Sequence, residues 1–330
     1  MKTINKPGLY RRIPAILVIS ILATITLSGA NYVKVATIGT APAVDSKQDP
    51  QLIVKQVIEF WQNELSKVLP DNPDLIVLPE VCDMSDAGKE YLEVRKNQVL
   101  DYFASVSAKH SCYIAFGMFR EESTGIWKNS CVVLDRKGGI AGIYDKNFPT
   151  IPEMEKGIKR GNSAALIQCD FGKVAVAICF DLNFDELLAH YAAEKPDLII
   201  FSSMYHGGLV QSTWAYKCRA HFIGSVHHGN PSEIRNPMGD VMATTTNYFD
   251  YAVTEINLDS RLVHLDFNWD RLDALKKKYG PSVTITDPGR LGTVLVTSED
   301  KNITVDQMIA EFKLELLDDY LNRARNFKLK

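Results

Sequence analysis

The sequence is poor in the features that would take it out of the ordinary globular proteins. Cysteine is sparse: six residues in 330, at positions 82, 112, 131, 169, 179 and 218, are too irregularly spaced for a disulfide scaffold. Excess positive charge is missing as well. A formal net charge of -3, with 23% charged residues, creates no field that would attract a polyanion and argues against a nucleic-acid partner. No short repeat, low-complexity segment or Pro/Gly/Ser linker divides the chain. His206, His221, His227 and His228 lack a usual ligand spacing and have no cysteine or carboxylate beside them, so no metal site is expected. Long runs free of charge and of histidine are absent too, with one exception.

That exception is Ile13 to Ala30, eighteen residues preceded by Lys2, Lys6, Arg11 and Arg12. A basic flank before a short apolar run is the pattern of an export signal. Ser28-Gly29-Ala30 supplies small residues for cleavage after Ala30, so residues 1–30 are expected to be a signal peptide and the protein to be exported. The alternative is an uncleaved single helix anchoring the chain, since eighteen residues lie near the lower limit for crossing ~30 Å of hydrocarbon. Export sits uneasily with unpaired cysteines. Cys112, Cys131 and Cys169 adjoin apolar strand-like runs and read as buried small hydrophobes.

Beyond the leader the chain alternates between strand-length apolar runs and helix-period segments. Strands are expected at Tyr32 to Gly39, Leu75 to Leu78, Tyr113 to Phe119, Ser130 to Leu134, Ile140 to Tyr144, Lys173 to Ile178 and Asp197 to Phe201. Helices are expected over 51–69, 86–110, 184–194 and around 212–223. Ile53, Val57, Trp61, Leu65 and Leu69 recur every four residues and give the first helix one apolar stripe, which Pro70 ends. A hairpin-like pair at Val241 to Thr245 and Tyr251 to Ile256 closes the body. The chain is α/β with a mixed sheet over 31–265. Residues 266–330 read as a helical extension, ending in a helix over 305–325, that packs on the body or on a partner subunit.

Three reactive side chains stand directly after apolar strands: Glu80, Lys146 and Cys179. In α/β sheets the ligand crevice lies beyond the carboxyl ends of strands, so the three can share one pocket. Their chemistry is coherent. A cysteine attacks as thiolate, a nearby ammonium favours that form, and a carboxylate can take the proton and later activate water. Lys146 and the backbone N–H of Phe180 would stabilise the oxyanion of an attacked carbonyl.

The blocks Leu75-Ile-Val-Leu-Pro-Glu80, Tyr144-Asp-Lys146-Asn with Gly161-Asn162, and Gly172-Lys-Val-Ala-Val-Ala-Ile-Cys179-Phe-Asp181-Leu-Asn-Phe184-Asp-Glu186 resemble the nitrilase superfamily of carbon-nitrogen hydrolases. The resemblance runs from about Tyr32 to Asp259. It implies a four-layer α-β-β-α sandwich, a Glu80, Lys146, Cys179 triad acting through a thioester, and neither metal nor organic cofactor. It also implies a second carboxylate between the lysine and the cysteine, for which Glu153 and Glu155 are both candidates.

Phe180-Asp181, where nitrile-cleaving members have Trp-Glu, is similar to the amidase and carbamoylase side of the superfamily. Met204, Tyr205 and His206, after the strand ending near Ser203, are the candidates for lining the substrate pocket, with Trp214 a further one. The expected activity is hydrolysis of a small amide or N-carbamoyl compound by a homo-oligomer that meets the membrane only if its leader stays attached. The alternatives are an acyltransferase of the same superfamily and a catalytically inactive assembly protein on the same fold.

Overall fold

Asp49 starts the first helix, because its carboxylate accepts from the N–H groups of Gln51 and Leu52 at 3.0 and 3.1 Å and Pro50 needs no partner at the first position. The computed structural model describes residues 29–84, 86, 88–227 and 229–328. Most of the leader, residues 1–28, and His228 therefore lie outside the described residues. Gly29 and Ala30 are described, and their N–H groups donate to Lys301 O and Asp300 O at 3.0 and 2.7 Å.

The body begins with β1 (Tyr32–Ile38), α1 (Pro50–Val68) and β2 (Leu75–Val77). Ile53, Val57, Trp61 and Leu65 of α1 are buried, each contributing about 1.5–3 kcal/mol by leaving water. The helix expected over 86–110 is two, α2 (Lys89–Arg95) and α3 (Gln98–His110). Arg95 turns inward to meet Asp83, and Lys96 takes a φ of +44°, which stops the helix. An antiparallel run β3 (Tyr113–Ser123), β4 (Ile126–Leu134) and β5 (Ile140–Asp145) follows, then α4 (Ile151–Glu155).

The second half runs through β6 (Ile167–Gln168), β7 (Lys173–Ile178), α5 (Asp185–Glu194), β8 (Leu198–Ser203) and α6 (Leu209–Cys218). It continues as β9 (His221–Val226), β10 (Glu233–Arg235), β11 (Val241–Thr244) and β12 (Tyr251–Asn257). The helix expected to reach 223 stops at Cys218, because Arg219 adopts a left-handed φ of +59° and the apolar residues beyond it form β9. β11 and β12 are not a hairpin. β11 ends one sheet, of order β11-β10-β9-β8-β7-β6, while β12 joins the other, β12-β1-β2-β3-β4-β5, pairing antiparallel to β1 along its whole length.

The layers are α-β-β-α. Val35, Val77 and Val133 of one sheet meet Val176, Ile200 and Ile223 of the other in the central core. α1 and α3 cover the outer face of the first sheet around Trp61 and Phe103, and α5 and α6 cover the second around Tyr191 and Trp214. Parallel strands buried on both faces explain why β7 and β8 read as apolar runs.

The extension holds more than helices. β13 (Ser260–His264), α7 (Trp269–Tyr279), β14 (Val283–Thr286), β15 (Thr293–Ser298), α8 (Val305–Phe312) and α9 (Leu317–Arg325) build a third sheet, of order β13-β15-β14, over a core of its own that includes Val263, Leu275, Val296 and Met308. The single helix expected over 305–325 is broken by Lys313 at a φ of +51°. This unit is tied to its own body by Arg219–Asp318 at 2.9 Å and by Asn257 Nδ2 donating to Ser298 O at 2.8 Å. Among the described residues no helix is long and apolar enough to cross a membrane.

Candidate active site

Glu80, Lys146 and Cys179 reach one place from three strand ends. Glu80 follows β2 on a loop that presses against β3, where a Cβ on Gly117 would stand 2.6 Å from Glu80 Cα and 2.8 Å from Val81 N. Only glycine admits that approach. The loop is also held by Trp61, whose Nε1 donates to Cys82 O at 2.9 Å. Lys146 follows β5; its N–H donates to Asn129 O and its carbonyl accepts from Gly161 N–H, both at 2.8 Å. A Cβ on Gly161 would come within 2.0 Å of Asp145 O, which accounts for the glycine of Gly161-Asn162.

Cys179 ends β7 and opens a 3-10 turn, Cys179–Asn183. Its φ is +48° and that of Val81, beside Glu80, is +45°. Left-handed backbone at non-glycine residues costs on the order of 1–3 kcal/mol and gathers at functional sites. The turn is fixed by Asp181, whose Oδ2 accepts from Ile178 N–H and from the Tyr144 hydroxyl, each at 2.9 Å, while Oδ1 accepts from Phe148 N–H at 2.9 Å. Asp181 thus joins the nucleophile's strand to the strand that delivers Lys146. Burial pushes its carboxyl up to about 6, and the donors from Ile178, Phe148 and Tyr144 pull it back. A carboxyl raised in the folded state favours folding most at acid pH, and that contribution is lost as pH rises from its unfolded value through about 6.

The floor of the site is a buried charge cluster. Lys146 Nζ donates to Glu80 Oε1 at 2.7 Å and to Glu153 Oε2 at 2.9 Å. Asn129 Nδ2 donates to the same two carboxylates, at 2.8 and 2.7 Å. Glu153 is placed by a capping box at the start of α4, in which it accepts from Thr150 N–H at 2.7 Å. Glu153 is therefore the carboxylate that meets Lys146, and Glu155 is exposed. Burial works against the charge on Lys146, but Glu80, Cys179 and Glu153 outweigh it and hold the ammonium above its ordinary range. Burial likewise opposes the Glu153 carboxylate, and Lys146 and Asn129 bring it below its usual value.

The sulfur behaves differently from the expectation that a neighbouring ammonium secures a thiolate. Burial, reinforced by the Glu80 carboxylate, pushes the Cys179 thiol up to about 12, while Lys146 and the Met204 amide oppose this. The thiol is thus raised beside the Glu80 carboxylate. Cys82, Cys112, Cys131, Cys169 and Cys218 are all free and buried. Burial raises Cys112 to about 11, raises Cys131, Cys169 and Cys218 to about 12, and raises Cys82 well above the ordinary thiol range.

Above the charge cluster opens a cavity of about 570 Å³ lined by Leu92, Phe119, Trp127, Pro152 and Ile158, with Asp86, Lys89 and Lys156 among its polar lining residues. Met204 lines it. Tyr205 and His206 do not: the Tyr205 hydroxyl accepts from Asn183 Nδ2 at 3.1 Å and His206 Nε2 meets Glu233 at 3.0 Å, because the turn after Met204 carries both away from the cavity. Trp214 is buried on the inner face of α6, with Nε1 donating to Leu182 O at 3.1 Å. Phe180 occupies the second position of the Cys179 turn, where a backbone N–H has no partner within the turn. His221 is buried at the start of β9, where burial lowers it to about 4, while His227 Nε2 lies 2.6 Å from Glu80 O, within hydrogen-bond reach.

Asn129, Trp127 and Phe119 escaped the sequence reading. Asn129 is a polar residue inside a strand whose other inward positions are apolar, and that anomaly is the one signal for it.

The sequence profile of the family described as carbon-nitrogen hydrolase matches residues 34–242. The chain belongs to the carbon-nitrogen hydrolase family. Members of this family act on carbon-nitrogen bonds other than peptide bonds, and the chain is a hydrolase of that kind. An omega-amidase of Xenopus laevis is 20% identical over 249 residues, covering 69% of this chain and 90% of that protein. A probable nitrilase of Schizosaccharomyces pombe is 24% identical over 159 residues, covering 46% of this chain and 58% of that protein. Among solved structures, a carbon-nitrogen hydrolase from Helicobacter pylori superimposes with a TM-score of 0.60 at 16% identity, over 76% of this chain and 93% of that one. An amidase from Nesterenkonia sp. gives 0.60 at 14% identity, over 77% and 98%. These carbon-nitrogen hydrolases share the fold.

Proposed function

We propose that the chain is a thiol amidohydrolase that opens a small amide through a thioester on Cys179. The observation that carries this reading is the convergence of a cavity-facing cysteine with a buried Lys146 ammonium and the Glu80 carboxylate. The carbonyl of the amide binds with its oxygen toward Lys146 Nζ and the Phe180 N–H. Glu80 takes the thiol proton as the sulfur attacks, and the oxyanion is stabilised by donors already in place. Glu80 returns the proton to the leaving nitrogen, ammonia departs, and the same carboxylate activates the water that releases the acid. Glu153 and Asn129 keep Lys146 charged and aimed.

Amide is favoured over nitrile by Phe180-Asp181 after the nucleophile, and several relatives are named omega-amidases while one from Dictyostelium discoideum is named a deaminated glutathione amidase. The apolar walls suit a short carbon stem, and Lys89 and Lys156 suit a carboxylate at its far end. The test is ammonia release from simple amides, ω-amido acids, N-carbamoyl amino acids and nitriles, with Cys179→Ala as control. Release from ω-amido acids that depends on Cys179 is the expected result. Silence across the panel from folded protein overturns the reading in favour of a scaffold without catalysis.

Export belongs to the same proposal and is supported by the basic flank and apolar run of residues 1–30. The mass of the mature chain from its host is expected to begin after Ala30, and a chain that begins at Met1 overturns cleavage.

A further inference from the structure

The turn that follows β8 carries a donor shared by base and nucleophile. The Met204 N–H donates to Glu80 Oε2 at 3.2 Å and also faces the Cys179 sulfur, where it favours the thiolate. As the proton passes from sulfur to carboxylate, negative charge moves from one neighbour of this N–H to the other. Its placement therefore bears on the proton transfer more than on substrate binding.

Met204 itself contributes nothing that would fix that N–H; the turn is pinned from the side away from the cavity. Ser203 Oγ donates to Tyr205 O at 2.6 Å and accepts from Tyr205 N–H at 3.0 Å. His206 Nδ1 accepts from Gly208 N–H at 3.1 Å, and His206 Nε2 lies 3.0 Å from Glu233 Oε2. A ring nitrogen that accepts carries no proton, so the proton sits on Nε2 and is donated to the carboxylate. Gln211 Nε2 donates to His206 O. Glu233 is paired with Arg235, whose NH1 donates to Ser212 Oγ and Gly239 O, each at 2.8 Å. Gly207 and Gly208 take φ values of +78° and +55°, and two such glycines leave the turn free to swing unless a side chain staples it.

We propose that His206 is a positioning residue for amide hydrolysis: by bridging Gly208 N–H and Glu233 it fixes the Met204 amide between Glu80 and Cys179. The proposal rests on the reading of Cys179 as nucleophile and Glu80 as base. His206 touches neither substrate nor reacting atoms, and acts through the turn.

The test combines steady-state kinetics with the pH dependence of Cys179 alkylation by iodoacetamide, read by peptide mass, in wild type, His206→Ala, His206→Asn, Glu233→Ala and Glu233→Gln. His206→Ala is expected to lower kcat about tenfold, since small misplacements of catalytic groups cost that much or more, with KM within about twofold, and to move alkylation of Cys179 to higher pH. Glu233→Gln keeps an oxygen for the imidazole N–H and is expected to recover most of what Glu233→Ala loses. His206→Asn keeps an acceptor for Gly208 but cannot reach Glu233, and is expected to lose kcat about threefold or more; it decides the matter if the alanine variant does not fold. Wild-type kcat and alkylation profile in the folded variants, or a loss carried by KM alone, overturns the proposal. If the wild type hydrolyses no amide, the function falls while the alkylation profiles still decide the positioning role.

Discussion

Glu80→Gln is expected to lower amide turnover by about a thousandfold, within the range that positioned general acid–base groups contribute, with little change in KM. The size follows from the state of the sulfur. Burial, reinforced by the Glu80 carboxylate, pushes the Cys179 thiol up to about 12, so in the proposed mechanism attack is coupled to proton removal. Glutamine matches glutamate in shape, and its oxygen can still accept from both Lys146 and Asn129, which share Glu80 Oε1, but it can neither take the thiol proton nor return it to nitrogen. In the proposed mechanism both halves of the reaction use Glu80, so no covalent intermediate should accumulate, because its formation is slowed first. The measurement is kcat for the best ω-amide, with intact mass to look for an acyl adduct. A variant within tenfold of wild type would show that another group takes the proton.

Arg95→Ala is expected to destabilise the fold by about 3–5 kcal/mol, the cost of leaving one member of a buried ion pair alone. Arg95 and Asp83 are 2% and 1% exposed and bonded to each other, and Arg95 NH2 also donates to Phe119 O at 2.6 Å. Removing the guanidinium leaves the Asp83 carboxylate with the Met84 N–H at 3.0 Å, in a loop that already holds Val81 in left-handed backbone. For a domain of this size the midpoint of thermal unfolding should fall by roughly 10 °C. Replacing both members by apolar residues, Arg95→Met with Asp83→Leu, should recover much of the loss. A single variant within about 1 kcal/mol of wild type would mean that Asp83 finds a new partner.

The parts of the molecule legible in the sequence are those in which one local pattern decides the outcome. The α1 stripe, the apolar runs of β2, β7 and β8, and the motif blocks around Glu80, Lys146 and Cys179 are of this kind. Where a distant residue decides, the sequence misled. The break between α2 and α3 depends on Asp83 drawing Arg95 inward, and β12 leaves β11 because β1 offers a free edge across the molecule. β14 and β15 are hidden by the charged helices around them. In the site, spacing does not separate Glu153 from Glu155; the capping box of Thr150 decides it by turning one carboxylate in and the other out. Tyr205 and His206 follow Met204 in sequence but leave the cavity, because two glycines in left-handed backbone turn the chain after them.

Of six cysteine sulfurs, five are sealed in packed interior and one, Cys179, opens to the cavity. A thiol-directed reagent arriving from solvent therefore has a single cysteine to reach. On the proposed reading of Cys179 as nucleophile, its modification silences a molecule outright, so partly treated stock is expected to lose Vmax in proportion and to keep its KM. All six cysteines are free, so in the proposed exported enzyme such modification changes the number of working copies and not a cross-link that holds their shape.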